Sequence, residues 1–409
     1  MRLAAVVLLA VAGSTTALGQ DWPQILGPAR DGVYSGSPIV STLPPRGPSR
    51  LWQRDIGAGL AGPAVSAGRL ILFHRIGGNE VVDALDALTG RTGWTFAYPT
   101  AYRDDFGFDE GPRAPPVIAD GRVFTHGADG WLHGVDFSTG RRLWAVDTRR
   151  VFAAPKGYFG VATSPVVDGN RVLVNVGGPK AGIVAFDAAS GATLWTATSD
   201  EASYSSPVVA DIGGQRTAVF FTRAGLVALD PASGALRHQF RWRARMAASV
   251  NAATPLVIGD RIFLSASYGT GAVLLQVAGD TLKSIWSGDD VLSNHYSTSV
   301  HRDGYLYGFE GRQEFGQSLR CIELASGKVM WTVERFGAGS LILAGDRLVI
   351  VRESGELVLA PATPTGFAPS ARAALLPAVV RAYAALAAGR LYVRNERTLA
   401  AFDLRDGPT

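Results

Sequence analysis

Short apolar runs recur along the whole chain, and glycine or aspartate turns separate them. Each run follows a turn and opens on a basic or aromatic residue. The eight runs begin at Arg69, Arg122, Arg171, Arg216, Arg261, Tyr305, Arg347 and Arg390. Their spacing of 42 to 53 residues is typical of propeller blades and exceeds that of short helical or leucine-rich repeats. The pattern therefore predicts eight β-rich units.

A second motif follows most of these runs: an acidic residue, two variable residues, Ser or Thr, Gly, and a Trp eight positions after the acid. It spans Asp86–Trp94, Asp136–Trp144, Asp187–Trp195 and Glu323–Trp331, with partial copies at Asp230 and Asp403. Aspartate caps its own turn and glycine accepts positive φ, so the motif predicts a hairpin. We therefore expect the six acids to cap turns rather than act in catalysis.

One unit illustrates the predicted blade. Pro165–Val167 gives the first strand, Arg171–Val174 the second, Val184–Asp187 the third, and the stretch ending at Trp195 the fourth. Such a sheet cannot bury both faces alone, so the units must pack around an axis. The sequence predicts an all-β, eight-bladed β-propeller with four-stranded antiparallel blades, forming a single domain over residues 20–409.

Closure of the ring is less regular in the sequence. The segment Pro361–Leu376 lacks the turn and the Trp, which leaves seven blades as the alternative. The run from Arg390 ends without a following Trp strand. We therefore expect the N-terminal segment Asp21–Trp52 to supply the last strand of the final blade.

Composition narrows the class of protein. The 409 residues are 47% hydrophobic and 18% charged, against about 25% charged in typical domains. The 49 Gly and 22 Pro follow no collagen period. The single cysteine, Cys321, cannot form an internal disulfide. It stands where other units have Ala or Gly, so we expect a packed small side chain.

The N-terminus predicts export. Arg2 precedes the apolar run Leu3–Ala12, and Ala17-Leu18-Gly19 fits a signal-peptidase site. We expect residues 1–19 to be a signal peptide cleaved after Gly19, giving a periplasmic or secreted monomer with no membrane span. Removing Arg2 lowers the formal charge from +4 to +3, which indicates no particular partner.

A basic cluster lies between Arg237 and Arg245. Arg241, Arg243 and Arg245 alternate with other residues, as in a strand with one solvated face. We expect an exposed outer strand here. A patch for an anionic partner is the alternative, and we expect no nucleic-acid binding.

The repeat resembles the pyrroloquinoline-quinone (PQQ) type of propeller repeat, whose hallmark is A-x-D-A-x-T-G-x-x-x-W. Ala84–Trp94 and Ala185–Trp195 match it. The opening Asp21-Trp22-Pro23-Gln24, with Gly27-Pro28 and Arg30-Asp31-Gly32, resembles exported propellers grouped with the outer-membrane-assembly lipoprotein propeller. The resemblance implies that each motif Trp wedges between neighbouring blades, and these are Trp94, Trp144, Trp195, Trp286 and Trp331. His238 stands where blade 4 should have its Trp.

The connections into each first strand are the candidate functional region, because they cross the face where a propeller channel opens. They offer carboxylates, an imidazole and tyrosines around one mouth, which suits a small polar ligand or a peptide. The candidate ligand-binding residues are Arg113, Tyr158, Asp200, Glu201, Tyr204, Asn251, His295 and Tyr296. His295 has no accompanying nucleophile motif, so we expect no catalytic residue, and no His pair has metal-ligand spacing.

These observations favour a non-catalytic exported propeller that binds an envelope protein, a peptide or a small polar ligand at its channel face, without a cofactor. The alternative is an oxidoreductase that holds PQQ with calcium. The family resemblance would then require an adjacent cysteine pair, which one cysteine excludes, and a calcium-binding set. Glu201, Asn251 and Asp289 are candidates for that set but no motif surrounds them. A third hypothesis is a rigid scaffold that binds partners on blade edges near Arg241–Arg245.

Overall fold

The computed structural model describes residues 20–244, 246 and 250–406. The predicted signal peptide and Arg245 lie outside the described residues. Nearly all regular structure is β, in eight sheets. The exceptions are α1 (Thr148–Phe152) and one turn of 3-10 helix at Gln313–Phe315. Across the described ranges, no helix is long and apolar enough to cross a membrane.

The strands follow one another in consecutive groups of four, one group per blade. Two precede the first complete blade: β1 (Val33–Tyr34) and β2 (Arg50–Asp55). Blades 1 to 4 comprise β3 (Ala64–Ser66), β4 (Arg69–Ile76), β5 (Asn79–Asp86), β6 (Thr92–Pro99), β7 (Val117–Ala119), β8 (Arg122–His126), β9 (Trp131–Asp136), β10 (Arg142–Asp147), β11 (Val166–Asp168), β12 (Arg171–Gly178), β13 (Ala181–Asp187), β14 (Thr193–Ala197), β15 (Val208–Ile212), β16 (Gln215–Phe221), β17 (Gly225–Leu229) and β18 (Leu236–Arg241). Blades 5 to 8 comprise β19 (Leu256–Ile258), β20 (Arg261–Ala266), β21 (Gly271–Ala278), β22 (Thr281–Gly288), β23 (Val300–Arg302), β24 (Tyr305–Glu310), β25 (Ser318–Glu323), β26 (Val329–Val333), β27 (Gly339–Ala344), β28 (Arg347–Arg352), β29 (Glu356–Pro361), β30 (Ala371–Ala374), β31 (Ala385–Ala387), β32 (Arg390–Arg394) and β33 (Thr398–Asp403).

The eight-bladed prediction is confirmed. Each blade is a four-stranded antiparallel sheet, and blade 7 gains β1 as a fifth strand parallel to β27. The final blade has the order β2-β33-β32-β31, with Trp52 opposite Ala401. The N-terminal segment therefore supplies the outer strand of the last blade. This confirms the prediction made from the lack of a Trp strand after the run from Arg390.

The motif tryptophans join neighbouring blades. Trp144 of blade 2 is 7% exposed, and its Nε1 donates to the carbonyl oxygen of Ala188 in blade 3 over 3.1 Å. It lies on Gly191, where an added Cβ would approach the indole to 2.7 Å. Glycine is required there because φ is also +73°. Corresponding bonds are made by Trp94, Trp195, Trp286 and Trp331, and by Trp52, which sequence analysis did not single out.

The acidic residues of the repeat cap turns as predicted. Asp136 Oδ1 accepts backbone N–H bonds from Ser138 and Thr139 over 3.1 and 2.8 Å. Hydrogen bonds to the ionised form, led by those from the Ser138 and Thr139 hydroxyls, lower the pKa of Asp136 to about 2. Cys321 is buried opposite Trp331, at the position that demands a small residue. Burial raises the pKa of its thiol to about 12, so it is a packing residue.

Two junctions depart from the repeat. His238 stands opposite Ala228, in the register that Trp195 occupies opposite Ala185, and a crevice of about 30 Å³ lies beside it. At the junction of blades 6 and 7, the indole N–H of Trp331 donates to the carbonyl oxygen of Thr363, and the indole packs on the ring of Phe367 where other junctions have a Gly turn.

The predicted outer strand is wrong for residues 242–244, and its last residue, Arg245, lies outside the described residues. β18 ends at Arg241. The backbone N–H of the next residue, Trp242, still donates to the carbonyl oxygen of Ala224, and its indole N–H donates to the carbonyl oxygen of Gly271 in blade 5.

The apolar core is divided into layers between blades. One layer joins blades 1 and 2 through Phe73, Val82 and Val123, and another joins blades 3 and 4 through Leu173, Ile183 and Phe220. Because strands two and three of each blade are covered on both faces, each blade depends on its neighbours for burial.

The N-terminal cap, defined as residues 20–32, crosses one end of the central channel. Gln20 and Asp21 contact the turns between strands one and two of blades 8 and 1. Trp22 exchanges two backbone bonds with Val65, and the Pro23 carbonyl oxygen accepts from Ile118 in blade 2. The opposite end, which we call the channel face, carries the connections between blades and the turns between strands two and three. The channel is therefore blind and opens at the channel face.

Candidate functional site

A cavity of about 500 Å³ opens at the channel face, within the usual size range of ligand pockets. Side chains from all eight blades form its wall, and Ile25 of the N-terminal cap contributes to its floor. The lining residues are Ile25, Leu60, Phe108, Arg113, Pro115, Phe159, Ala162, Tyr204, Ser206, Val250, Ala252, Tyr268, His295, Tyr296, Gln313, Glu314, Glu353, Arg381 and Tyr383.

The connection from blade 1 to blade 2 shapes one side of the mouth. Asp104 has a fully buried side chain, and its Oδ2 accepts from Arg113 over 2.8 Å. Its Oδ1 accepts from the backbone N–H groups of Phe106 and Phe108 over 2.9 and 3.2 Å. Burial alone raises the pKa of Asp104, but the bonds from Phe108, Phe106 and Arg113 outweigh it and the pKa is lowered. An ionised Asp104 thus folds the loop that presents both phenylalanines.

Aromatic rings continue from that loop into the cavity. The ring centroids of Phe106 and Phe159 are 5.2 Å apart, and those of Phe159 and Tyr204 are 5.6 Å apart. Tyr204 Oη accepts from the backbone N–H of Phe159 over 2.9 Å. Burial raises the pKa of Tyr204, so its hydroxyl stays protonated at neutral pH. This side of the site is a pre-formed aromatic wall.

The opposite wall is a hydrogen-bonded polar group. Tyr296 donates from its hydroxyl to Glu353 Oε1 over 2.7 Å, and Arg381 Nε donates to the same oxygen over 2.8 Å. Tyr383 donates from its hydroxyl to the carbonyl oxygen of Tyr296 over 2.7 Å. Burial and Glu353 raise the pKa of Tyr296. The carboxylate of Glu353 is therefore neutralised within the wall.

His295 joins this wall to a neighbouring turn. Its Nε2 lies 2.9 Å from the hydroxyl of Tyr268, and its Nδ1 is buried with no hydrogen-bond partner among the described residues. Burial lowers the pKa of His295, so the ring is neutral at neutral pH. A neutral ring bonded to a tyrosine contributes shape and one polar edge to the cavity.

Four of the eight sequence-predicted site residues line the cavity: Arg113, Tyr204, His295 and Tyr296. The other four lie outside its wall. Asn251 is buried and holds backbone, since its Nδ2 donates to Thr222 and its carbonyl oxygen accepts from Tyr204. Asp200 accepts from the Thr222 hydroxyl over 2.9 Å, while Glu201 pairs with Arg223, whose guanidinium lies 5.1 Å from the ring of Tyr158.

The lining residues that come from turns between strands two and three were not among the residues predicted from the sequence. Tyr268, Gln313, Glu314 and Glu353 lie in such turns, and these open on the same face as the blade connections. The chain direction within a blade could have identified these residues. In an antiparallel blade, the turn between strands two and three lies at the same end as the connection that leaves strand four.

The three candidate calcium ligands, Glu201, Asn251 and Asp289, are engaged in other contacts. The Glu201 carboxylate pairs with Arg223, the Asn251 amide holds backbone, and Asp289 Oδ1 accepts from Ser293 Oγ over 3.3 Å. In the described part of the chain, no group of three or more His, Cys, Asp or Glu side chains is placed to hold a metal ion. Cys321 is buried within blade 6, away from the cavity wall.

Known proteins share this architecture. Among solved structures, quinohemoprotein alcohol dehydrogenase from Comamonas testosteroni superposes with a TM-score of 0.67 at 15% identity, covering 97% of this chain and 82% of that one. BamB from Moraxella catarrhalis superposes with a TM-score of 0.65 at 16% identity, covering 88% of this chain and 99% of that one. At these identities the likeness shows the fold alone.

Sequence comparison is more specific. Quinohemoprotein alcohol dehydrogenase ADH-IIG of Pseudomonas putida is 29% identical over 150 residues, but the match spans a fifth of that enzyme's length (20%). Outer membrane protein assembly factor BamB of Moranella endobia is 24% identical over 278 residues, which cover 64% of this chain and 67% of that protein. The family model described as outer membrane protein assembly factor BamB matches residues 37–178 and 78–333. The chain therefore belongs to the outer membrane protein assembly factor BamB family.

Proposed function

We propose that this protein is a non-catalytic binding propeller of the cell envelope, which takes a protein partner at its channel face. Membership of the outer membrane protein assembly factor family supports a role among envelope proteins. The observation that carries the proposal is the blind, aromatic-walled cavity to which all eight blades contribute. Export through the predicted signal peptide and action as a monomer belong to the same proposal.

Exposed apolar side chains on this face favour a macromolecular partner. Phe106 and Phe108 are 53% and 66% exposed, and Phe315 in a strand-two-to-three turn of blade 6 is 79% exposed. Rings exposed to water around a cavity are typical of interaction surfaces. Arg113, Tyr204, His295 and Tyr296 are the proposed contacts inside the cavity, and Tyr158, Asp200, Glu201 and Asn251 support its rim.

Site-specific photocrosslinking in intact cells tests the proposal. A photoreactive amino acid at Phe108 should yield a protein adduct. The same residue at Leu88, which is 55% exposed on the opposite face, should yield none. The double variant Tyr204→Ala with His295→Ala should lose the Phe108 adduct while keeping its circular dichroism spectrum. An adduct that survives the double variant would contradict the site. Adducts confined to Arg241, an exposed residue on the outer strand of blade 4, would support the edge-scaffold alternative instead.

The second candidate is an oxidoreductase that holds PQQ with calcium. It is favoured by the match to quinohemoprotein alcohol dehydrogenases. When bound, the quinone would supply two-electron redox chemistry to an alcohol substrate. The engaged side chains of Glu201, Asn251 and Asp289 weigh against it, so we place it second.

A further inference from the structure

The charged side chains at the cavity are neutralised by one another. Arg113 pairs with Asp104 over 2.8 Å, and Arg381 pairs with Glu353 over 2.8 Å. Glu314 pairs with Arg312 over 2.9 Å. A charged ligand entering the cavity would have to break one of these pairs or remain without a counter-charge, and an unpaired buried charge is strongly unfavourable. The electrostatics therefore select against a charged occupant.

The apolar surface extends beyond what a small molecule could cover. Phe106 and Phe108 stand on the connection between blades 1 and 2, and Phe315 stands on blade 6, which faces blade 2 across the ring. Arg312 lies 5.1 Å from the ring of Phe315 and orients it. Neither Phe106 nor Phe315 lines the cavity of about 500 Å³, so a molecule held wholly inside it would leave both rings exposed. A polypeptide can fill the cavity and pack on both sides.

The closed end restricts how a polypeptide enters. The N-terminal cap forms the floor through Ile25, so a chain cannot thread through the propeller. It must enter and leave by the same mouth, as a loop tip or as a chain terminus. A terminus carries a charge for which the cavity has no partner, whereas the tip of an internal loop is neutral.

We infer that the cavity receives the tip of an uncharged, aromatic-containing loop of the protein partner. One large apolar side chain enters between Phe159, Tyr204 and Tyr268, and its neighbours pack on Phe106, Phe108 and Phe315. This inference rests on the proposed function and adds the chemistry of the segment that binds.

Cyclic hexapeptides test this inference as mimics of a loop tip. One ring contains two phenylalanines and no charge, and two matched rings replace one serine by lysine or by aspartate. Isothermal titration calorimetry of the mature protein should show saturable binding of the neutral ring. Each charged ring should bind at least about tenfold more weakly.

Two protein variants make the test specific. Phe315→Ser changes an exposed side chain and should weaken the binding of the neutral ring several-fold. Leu88→Ser, on the opposite face, should leave the affinity for the neutral ring unchanged. Glu353→Gln leaves Arg381 without its carboxylate, so the aspartate ring should gain at least about tenfold over its affinity for the unmodified protein. Melting curves verify that each variant is folded.

The outcomes separate the inference from the proposed function. Failure of the neutral ring to bind, or equal binding of a charged ring to the unmodified protein, would overturn the inference. A protein adduct at Phe108 that maps to a charged segment would also overturn it while leaving the proposed function standing. Absence of any protein adduct at the channel face would overturn both.

Discussion

Arg30 donates a hydrogen bond from Nη1 to the carbonyl oxygen of Pro207 over 2.8 Å, across 177 residues of sequence. Its Nη2 donates to the carbonyl oxygen of Pro165, and its Nε donates to Gln24 Oε1. The side chain is 1% exposed and has no carboxylate partner among the described residues. Burial lowers its pKa to about 9, so it stays charged at neutral pH. One cation thus fastens the N-terminal cap to blades 3 and 4.

We expect Arg30→Met to destabilise the protein by about 2–4 kcal/mol. Methionine removes the cost of burying a charge but also removes the hydrogen bonds to the buried carbonyl oxygens of Pro165 and Pro207, each worth about 1–3 kcal/mol. Urea denaturation measures the loss, with the exposed Arg91→Ala as control. Hydrogen exchange should also accelerate at the amides of Trp22 and Val65, which bond to each other, but not at Leu173 in blade 3. Unchanged exchange at Trp22 would show that Arg30 does not hold the cap.

Equivalent positions in two blades should respond very differently to truncation. Trp144→Ala removes a buried indole with its hydrogen bond to Ala188 and should cost about 3–5 kcal/mol. His238 occupies the same register in blade 4, beside an existing crevice. His238→Ala should therefore lower the free energy of unfolding by less than about 1 kcal/mol. Urea denaturation of both variants makes the comparison. Similar losses would mean that the blade 4–5 junction depends on His238 as the others depend on Trp.

Local repeat chemistry explains why the ring was predictable from sequence. Asp136, Gly140 and Trp144 each act within one turn or one blade contact, and their spacing repeats. Alignment of the repeats alone predicted that Cys321 occupies a small-residue position, and the structure places it opposite Trp331.

The cavity was only partly predictable because its members come from distant, non-repeating segments. Arg113, Tyr204, His295 and Tyr296 were found through their unusual connections. Glu353 and Arg381 become neighbours only when blades 7 and 8 close. The role of Arg30 had no local signal either, because its acceptors are backbone carbonyls of blades 3 and 4.

Titration with PQQ and calcium should separate the two candidate functions. Because the carboxylate and amide groups of the candidate calcium ligands are engaged in other contacts, we expect no saturable change in quinone absorbance or in Trp fluorescence. A known PQQ enzyme carried through the same titration serves as the control. Binding at micromolar concentration or tighter, followed by dye reduction with an alcohol, would instead favour the oxidoreductase.

Two buried histidines should make the protein sensitive to acid. Burial lowers the pKa of His126 to about 4. Burial, with smaller effects of Arg142 and His126, lowers the pKa of His133 to about 3. The ring of His133 packs where blades 1 and 2 meet, with its centroid 4.1 Å from that of Tyr98, whereas Nε2 of His126 lies 3.1 Å from Oγ1 of Thr148.

The unfolded chain takes up these two protons below its ordinary histidine pKa of 6.5, whereas the native protein takes them up only near pH 4 and pH 3. The contribution of His126 and His133 to the free energy of unfolding is therefore fully present above pH 6.5. It falls with decreasing pH by about 1.4 kcal/mol per unit for each histidine. We expect His133→Phe, which keeps a ring against Tyr98, to lower the measured slope by about 1.4 kcal/mol per pH unit, because His126 and His295, whose pKa values are also lowered, keep their contributions. The measurement is the free energy of urea unfolding between pH 7 and pH 4.5, with Lys283→Gln on the surface as control. An unchanged slope in His133→Phe would show that His133 is already protonated in the native protein.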